Sequence, residues 1–498
     1  MLRSRVARTW TGAFLIAAML LTLLPAVGGQ AAPGDRTVVA SGLNNPRYVA
    51  IAPDGTLYVT EAGNGGTQEL PTPSPDPGDP PVPLATRGMS GQVTKVAPGG
   101  AQSVVASGLP SYNEGTGPTG IVYAAGALWV AVGGAGHAYP EIPLLPYENT
   151  IVRIDPATGI VDTTADIGAY ERAFNPDGTD INPNLYGLTL AADGQLYAND
   201  AGGNVTYRLN PTTWTFVIAS ILPQLTLGEG SLHAVPTGAA SDLVGNVYIG
   251  ELPGELAPGA GRVVRLAPDG SLTTAVEGLT TVTGVAIGPD GLLYVADAGG
   301  NTIYSVLRVL PNGTTEVVAD DLPFPQGIAF DAAGNLYVAT NTTAFGPPPP
   351  TPNGEVVRIE AVAPPPATTF CDVTAGTPNA AAITYWARRN VIRGYENGCF
   401  GPDDTLLRAQ LTGMEARAFL WDQEDRGNPF SDQGPVDDEL WRTVGVLAFY
   451  DVARGYGDGT FDPTGPVLNV QAISLISRAM VTKGFWRLQG DDPSLFPS

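Results

Sequence analysis

Four acidic residues recur at one place in a repeated pattern, and together they could hold a hard divalent cation such as Ca2+. Glu61, Asp200, Glu251 and Asp297 each end a β-rich run, and hard ions take several oxygen ligands at once. The same residues could instead cap turns by accepting hydrogen bonds from local backbone amides. The stretch Asp177-Gly-Thr-Asp-Ile-Asn-Pro-Asn184 spaces oxygen ligands alternately, loosely like a calcium loop, but lacks the terminal bidentate glutamate. His137 and His233 are the two histidines of the chain. Neither stands in a Ser-His-Asp order and no activated cysteine accompanies them, so triad hydrolysis has no support. Cys371 and Cys399 are the two cysteines; with no histidine nearby, a structural disulfide is expected in place of a zinc site. No cofactor other than a Ca2+ ion is suggested by these residues.

The elements that must position these side chains repeat six times. The clearest copy runs Val282-Thr-Gly-Val-Ala-Ile-Gly-Pro-Asp-Gly-Leu-Leu-Tyr-Val-Ala-Asp297, and Arg47–Glu61 and Gly327–Ala339 match it closely. The aligned aromatics are Tyr58, Trp129, Tyr197, Tyr248, Tyr294 and Tyr337. Each copy is followed by a second hairpin with glycine at its turn, and two hairpins per repeat make four strands. Four strands at a period of about 40–50 residues make a propeller blade. The sixth repeat lacks a fourth strand, because Pro364-Pro-Pro366 stands where it should be. Arg36–Leu43 resembles the fourth strands of other repeats and is predicted to close the ring, leaving no exposed edge. The expected fold is mainly β: a six-bladed β-propeller over 36–362, a Pro-rich linker over 363–369, and a small C-terminal α-helical domain in two modules, 370–424 and 430–484.

Strand order sorts the loops. First-to-second and third-to-fourth turns share one face and are tight, as in Pro53-Asp-Gly55 and Pro289-Asp-Gly291. Every long insertion falls on the other face: Gly63–Ser90, Gly133–Asn149, Tyr170–Asn184, Leu222–Val235, Leu252–Ala260 and Asn341–Asn353. Length variation confined to one face marks a binding face. Its candidate residues are Arg47, Tyr186, Gln326, His137 and His233.

Residues 1–32 read as a secretory signal, with Arg3, Arg5 and Arg8 ahead of an apolar run from Ala13 to Leu24. No later stretch resembles a transmembrane helix. The formal net charge is −23, falling to about −26 without the signal. A chain this acidic excludes nucleic acid and anionic lipid as partners, and Cys usage fits an exported protein.

Asn45–Gly63 and the blocks Pro236–Gly254 and Gly259–Leu266 resemble the ScyD/ScyE family, exported NHL-like propellers. The resemblance implies an extracytoplasmic propeller and carries over no catalytic residue. A propeller hydrolase of the gluconolactonase type would place acidic and amide ligands where the innermost strands begin. Here those positions read Arg47, Thr119, Tyr186, Thr237, Thr283 and Gln326, without a carboxylate.

Past the linker, Phe370-Cys-Asp-Val373, Ile383–Pro402 and Leu407-Arg-Ala-Gln410 resemble an S-layer homology module, and a second copy runs from Phe430-Ser-Asp432 through Ala453–Pro463 to Met480. The resemblance implies attachment to cell-wall polysaccharide or surface-layer components, with Arg408 and Tyr395 as sugar contacts; an arginine fork suits a carboxylate there. In the second copy Asn469 stands at the arginine position. The sequence therefore reads as an exported surface propeller whose long-loop face binds an unidentified extracellular protein or glycan. The rival reading is an exported propeller enzyme, lactonase-like or an accessory to secondary-metabolite synthesis.

Overall fold

β-Branched and aromatic residues alternate between tight Asp-Gly turns, and the chain folds along them into six antiparallel sheets set in a ring. The computed structural model describes residues 34–482 apart from 71–85, 114, 136–141, 228–229, 255–256, 300–303, 311, 343–351, 364–369, 375, 389–390, 396, 420 and 422–425. The first strands are Pro46–Ile51, Pro118–Ala124, Leu185–Leu190, Pro236–Ser241, Val282–Ile287 and Ile328–Phe330, and these pack against one another around the channel. In blade one the third and fourth strands, Thr86–Val96 and Gln102–Tyr112, form a long ribbon to which the short strand Gln68–Glu69 is added.

One side-chain arrangement recurs in every blade. The second-strand aromatics face a cation on the third strand: Tyr58 opposite Lys95, Trp129 opposite Arg153, Tyr197 opposite Arg208, Tyr248 opposite Arg265, Tyr294 opposite Arg308, and Tyr337 opposite Arg358. Four of the tyrosines donate their hydroxyl to the Asp of the preceding turn, as Tyr294 does to Asp290 at 2.8 Å and Tyr197 to Asp193 at 3.2 Å. The aromatic residue therefore pins turn, second strand and third strand together, with its ring against the core and its polar tip satisfied.

The ring closes as the repeat predicts. Arg36–Leu43 pairs antiparallel with Gly354–Ile359 and completes blade six. Neighbouring blades approach backbone to backbone at a glycine of the first strand. A Cβ on Gly187 would stand 2.1 Å from the Thr237 carbonyl of the next blade, and one on Gly327 would stand 2.6 Å from the Cα of Tyr48. Only a residue without a side chain fits such a contact.

Both ends of the propeller lie on the tight-turn face, where Gly34 N–H bonds the Glu360 carbonyl at 2.8 Å and Ala363 N–H bonds the Gly334 carbonyl at 3.0 Å. On the opposite face, the insertion after blade two folds into helix α1 (Ile167–Phe174), and the one after blade three forms a hairpin, Leu225–Leu227 with Gly230–Leu232.

The C-terminal domain has helices α2 (Ala380–Arg388), α3 (Arg408–Ala418), α4 (Asp438–Phe449) and α5 (Asn469–Thr482). Its two halves repeat in detail. Asp372 accepts hydrogen bonds from Phe400 and Gly401 N–H, both at 2.7 Å, and Asp432 accepts them from Phe461 and Asp462 N–H, both at 2.8 Å. The Cys371–Cys399 disulfide forms, with Cα atoms 4.8 Å apart. The domain core gathers Ala409, Val444, Leu447, Phe461 and Leu475. A cavity of about 350 Å3 lies between this domain and the tight-turn face, lined by Asp193, Leu243 and Pro268 on one side and Trp386, Glu415 and Met480 on the other.

Candidate functional site

The channel entrance is the first place where chemistry was expected. Five blades begin their first strand with a residue followed by glycine, whereas blade one has Arg47 followed by Tyr48. With no glycine there, the Tyr48 ring crosses the channel and its hydroxyl donates to the Thr283 carbonyl of blade five at 2.6 Å. Tyr186 of blade three reaches across to Gln326 of blade six, its hydroxyl 2.5 Å from Gln326 Oε1, and meets Tyr48 edge-on at 5.9 Å. Burial raises the Tyr48 hydroxyl well above its ordinary value, so it stays a neutral donor. Thr119, Thr237 and Thr283 spend their hydroxyls on carbonyls of the next blade: Leu185 at 3.1 Å, Val282 at 2.6 Å and Pro325 at 2.8 Å. Arg47 is 2% exposed and donates to the Gly115 carbonyl, and Gln326 is 0% exposed. Arg47, Tyr186 and Gln326 thus bond across and within the channel, Arg47 to Gly115 and Tyr186 to Gln326. The physical reason is their place on the innermost strands, where six blades converge.

The four strand-end acids are engaged within their own surroundings. Glu61 accepts from Asn44 N–H at 2.5 Å and Gln92 Nε2 at 2.9 Å. Glu251 is paired with Arg262 at 2.5 Å, and Asp297 accepts from Thr281 N–H at 2.7 Å and Thr280 N–H at 3.1 Å. Asp200 Oδ1 accepts from Asn184 N–H at 2.7 Å and Gly203 N–H at 3.1 Å. The structure does not gather them round one ion. Among the described residues, the one trio of His, Cys, Asp or Glu ligand atoms within 4.8 Å of each other is Cys371, Asp372 and Cys399, whose sulfurs are joined to each other.

Glu251 Oε1 and one oxygen of Asp200 are left over. That Asp200 oxygen, Oδ2, is buried without a hydrogen bond, and beside it lies Glu171, 0% exposed, with both oxygens in the same condition. Glu171 comes from α1, an element outside the repeat, and period-based reading passes over it. The signal that could have found it is an acid on the apolar face of that helix, one turn from Ile167. His233 lies nearby, its Nδ1 3.0 Å from Asn204 Nδ2, and Asn204 in turn bonds Asp177 at 2.8 Å. His137 lies outside the described residues.

In the helical domain the two expected sugar contacts separate. Arg408 is 9% exposed, donates to the Phe461 carbonyl at 2.7 Å and the Arg454 carbonyl at 3.3 Å, and stacks over Phe461 and Tyr456. It ties the first module to the loop of the second. Tyr395 is 42% exposed and lines a groove of about 490 Å3 with Arg393, Asp404, Gln410 and Arg417. Arg393 is held there by Glu439 at 2.6 and 2.7 Å. Asn469 opens α5 as Arg408 opens α3, and both helices receive a glutamine side chain back onto the preceding amide, Gln410 on Leu407 at 3.0 Å and Gln471 on Leu468 at 3.1 Å.

Comparison with known proteins agrees with this two-part build. Residues 147–371 match the SMP-30/Gluconolactonase/LRE-like region, and residues 369–412 match the S-layer homology domain. No curated protein matches the chain. Similar solved structures include a catalytically inactive virginiamycin B lyase from Staphylococcus aureus, at 13% identity and a TM-score of 0.39 over 66% of this chain and 98% of that one. A gluconolactonase from Xanthomonas campestris gives 14% and 0.41 over 68% and 99%, and a putative oxidoreductase (glucose dehydrogenase) from Thermus thermophilus gives 17% and 0.42 over 66% and 99%. Likenesses of this degree assign no chemistry. The chain thus carries one region similar to the SMP-30/Gluconolactonase/LRE-like region, within a six-bladed β-propeller, and one similar to the S-layer homology domain.

Proposed function

We propose that this protein is an exported binding propeller held at the cell envelope by its helical domain, with its long-loop face turned toward an extracellular protein or glycan. S-layer homology domains bind cell-wall polymers, and no helix among the described residues is long and apolar enough to cross a membrane. The observation that carries the reading is the side from which the helical domain hangs. The chain leaves blade six on the tight-turn face, and the helical domain packs there against Asp193, Leu243 and Pro268. Among the described residues, α1 and the hairpin Leu225–Leu227 with Gly230–Leu232 therefore lie on the far side, where a partner can reach them while the envelope is engaged. The groove around Tyr395 is the proposed polymer site, because an exposed aromatic ring beside arginine and carboxylate groups suits a sugar chain.

The test is co-sedimentation of the full chain with isolated cell envelopes. The wild type is expected in the pellet and Tyr395→Ala largely in the supernatant; a wild type that stays in the supernatant overturns attachment. The SMP-30/gluconolactonase/LRE-like match also favours a second reading, an exported propeller enzyme of lactonase type or a secondary-metabolite accessory. Turnover of lactones by the purified chain would support it, against a channel bridged by Tyr48, Tyr186 and Gln326.

A further inference from the structure

Beneath α1 two carboxylates converge on a backbone gap. A Cβ on Gly203 would stand 3.1 Å from Glu171 Cδ and from its Oε2, and 3.2 Å from Asp200 Cγ. Both acids are 0% exposed, and Glu171 Oε1 and Oε2 and Asp200 Oδ2 lack hydrogen bonds. The Tyr207 hydroxyl, also 0% exposed, faces the pair and turns toward Glu171. Burying carboxylates with no partner costs several kcal/mol each. A fold that sets oxygens together in this way, with a glycine that leaves room for them, offsets that cost with a bound cation or with a proton, and experiment separates the two.

We infer that Glu171 and Asp200, with Tyr207 beside them, form a site for a divalent cation, Ca2+ by the hardness of its oxygen donors, that clamps α1 onto blade three. A bidentate Glu171 and Asp200 Oδ2 supply part of the six to eight oxygens that Ca2+ takes. The site differs from the channel mouth and from the expected gathering of strand-end acids, since its central ligand comes from an insertion. It also stands without the binding reading above, because the ion is detected with no partner present. Burial, with Asp200, Asp177 and Asp180 close by, pushes the Glu171 carboxyl up to about 7; burial likewise brings Asp200 to about 6, against the amides of Asn184 and Gly203.

The experiment is calorimetric titration of CaCl2 into the full chain after chelator treatment, with thermal unfolding followed in parallel. One Ca2+ per chain is expected, with a higher melting temperature. Glu171→Gln and, separately, Asp200→Asn should each weaken binding at least about tenfold while circular dichroism keeps the β signature. No heat and no thermal shift in the wild type overturns the inference, as does a Glu171→Gln chain that binds Ca2+ like the wild type. If Glu171→Gln raises the melting temperature and Ca2+ leaves the wild type unmoved, the pair holds a proton and the cation site is refuted.

Discussion

Glu415 sits on α3 with 4% exposure, both carboxyl oxygens lack hydrogen bonds, and it lines the cavity between the helical domain and the propeller. Burial pushes its carboxyl from 4.5 up to about 8, with Arg478 pulling only weakly the other way. Between those two values the folded chain holds a proton that the unfolded chain has lost, so stability falls as pH rises across that window. Glu415→Gln should remove this slope and stabilise the helical domain at pH 8 by about 1–3 kcal/mol, read from urea denaturation at pH 5 and pH 8. Arg408 carries the opposite expectation. Its guanidinium is spent on the Phe461 and Arg454 carbonyls, so Arg408→Ala should cost about 2–3 kcal/mol and lower the melting temperature of the helical domain. A variant as stable as wild type that merely loses envelope binding would return Arg408 to the role of a sugar contact.

At the level of the strand, the repeat is held by contacts that sequence spacing makes visible. Tyr294 and Tyr337 stand at matching places in the copies of the second strand, between a tight turn at Asp290 or Asp331 and a cation at Arg308 or Arg358. Strands, turns and the closing segment Arg36–Leu43 were legible for that reason. Tyr48 was not: in a linear reading it is one more aromatic in a strand, and only the circular arrangement turns it into a bridge to Thr283. Glu171 was hidden for a related cause, since an insertion has no counterpart against which to compare it. The glycine contacts give a test at this scale. Gly187→Val should force blades three and four apart and cost about 1–3 kcal/mol, whereas Gly126→Val, at a turn with nothing within 4 Å, should owe its smaller cost to backbone strain alone. Equal losses, measured by thermal unfolding, would deny the close blade contact its importance.

Over the whole molecule, the two faces of the ring divide the work. Turns on one side are short and pinned by Asp54, Asp193, Asp242, Asp290 and Asp331, and that side receives the helical domain. The other side carries α1, the hairpin beginning at Leu225 and the long ribbon of blade one. Loop lengths alone announced this division. The side chosen by the helical domain follows from closure, since the third strand of blade six must end where its borrowed neighbour begins.

That same closure decides how the molecule bears tension. When the helical domain is fixed and a partner is pulled from the far face, the load enters the ring through Gly354–Ile359. This strand is hydrogen-bonded on one side to Leu336–Thr340 and on the other to Arg36–Leu43. The ladder bonds run perpendicular to the strand, so a pull along it shears two ladders at once and does not unzip them bond by bond. A ring fastened by its own first strand is thereby a mechanical latch against a pull along that strand.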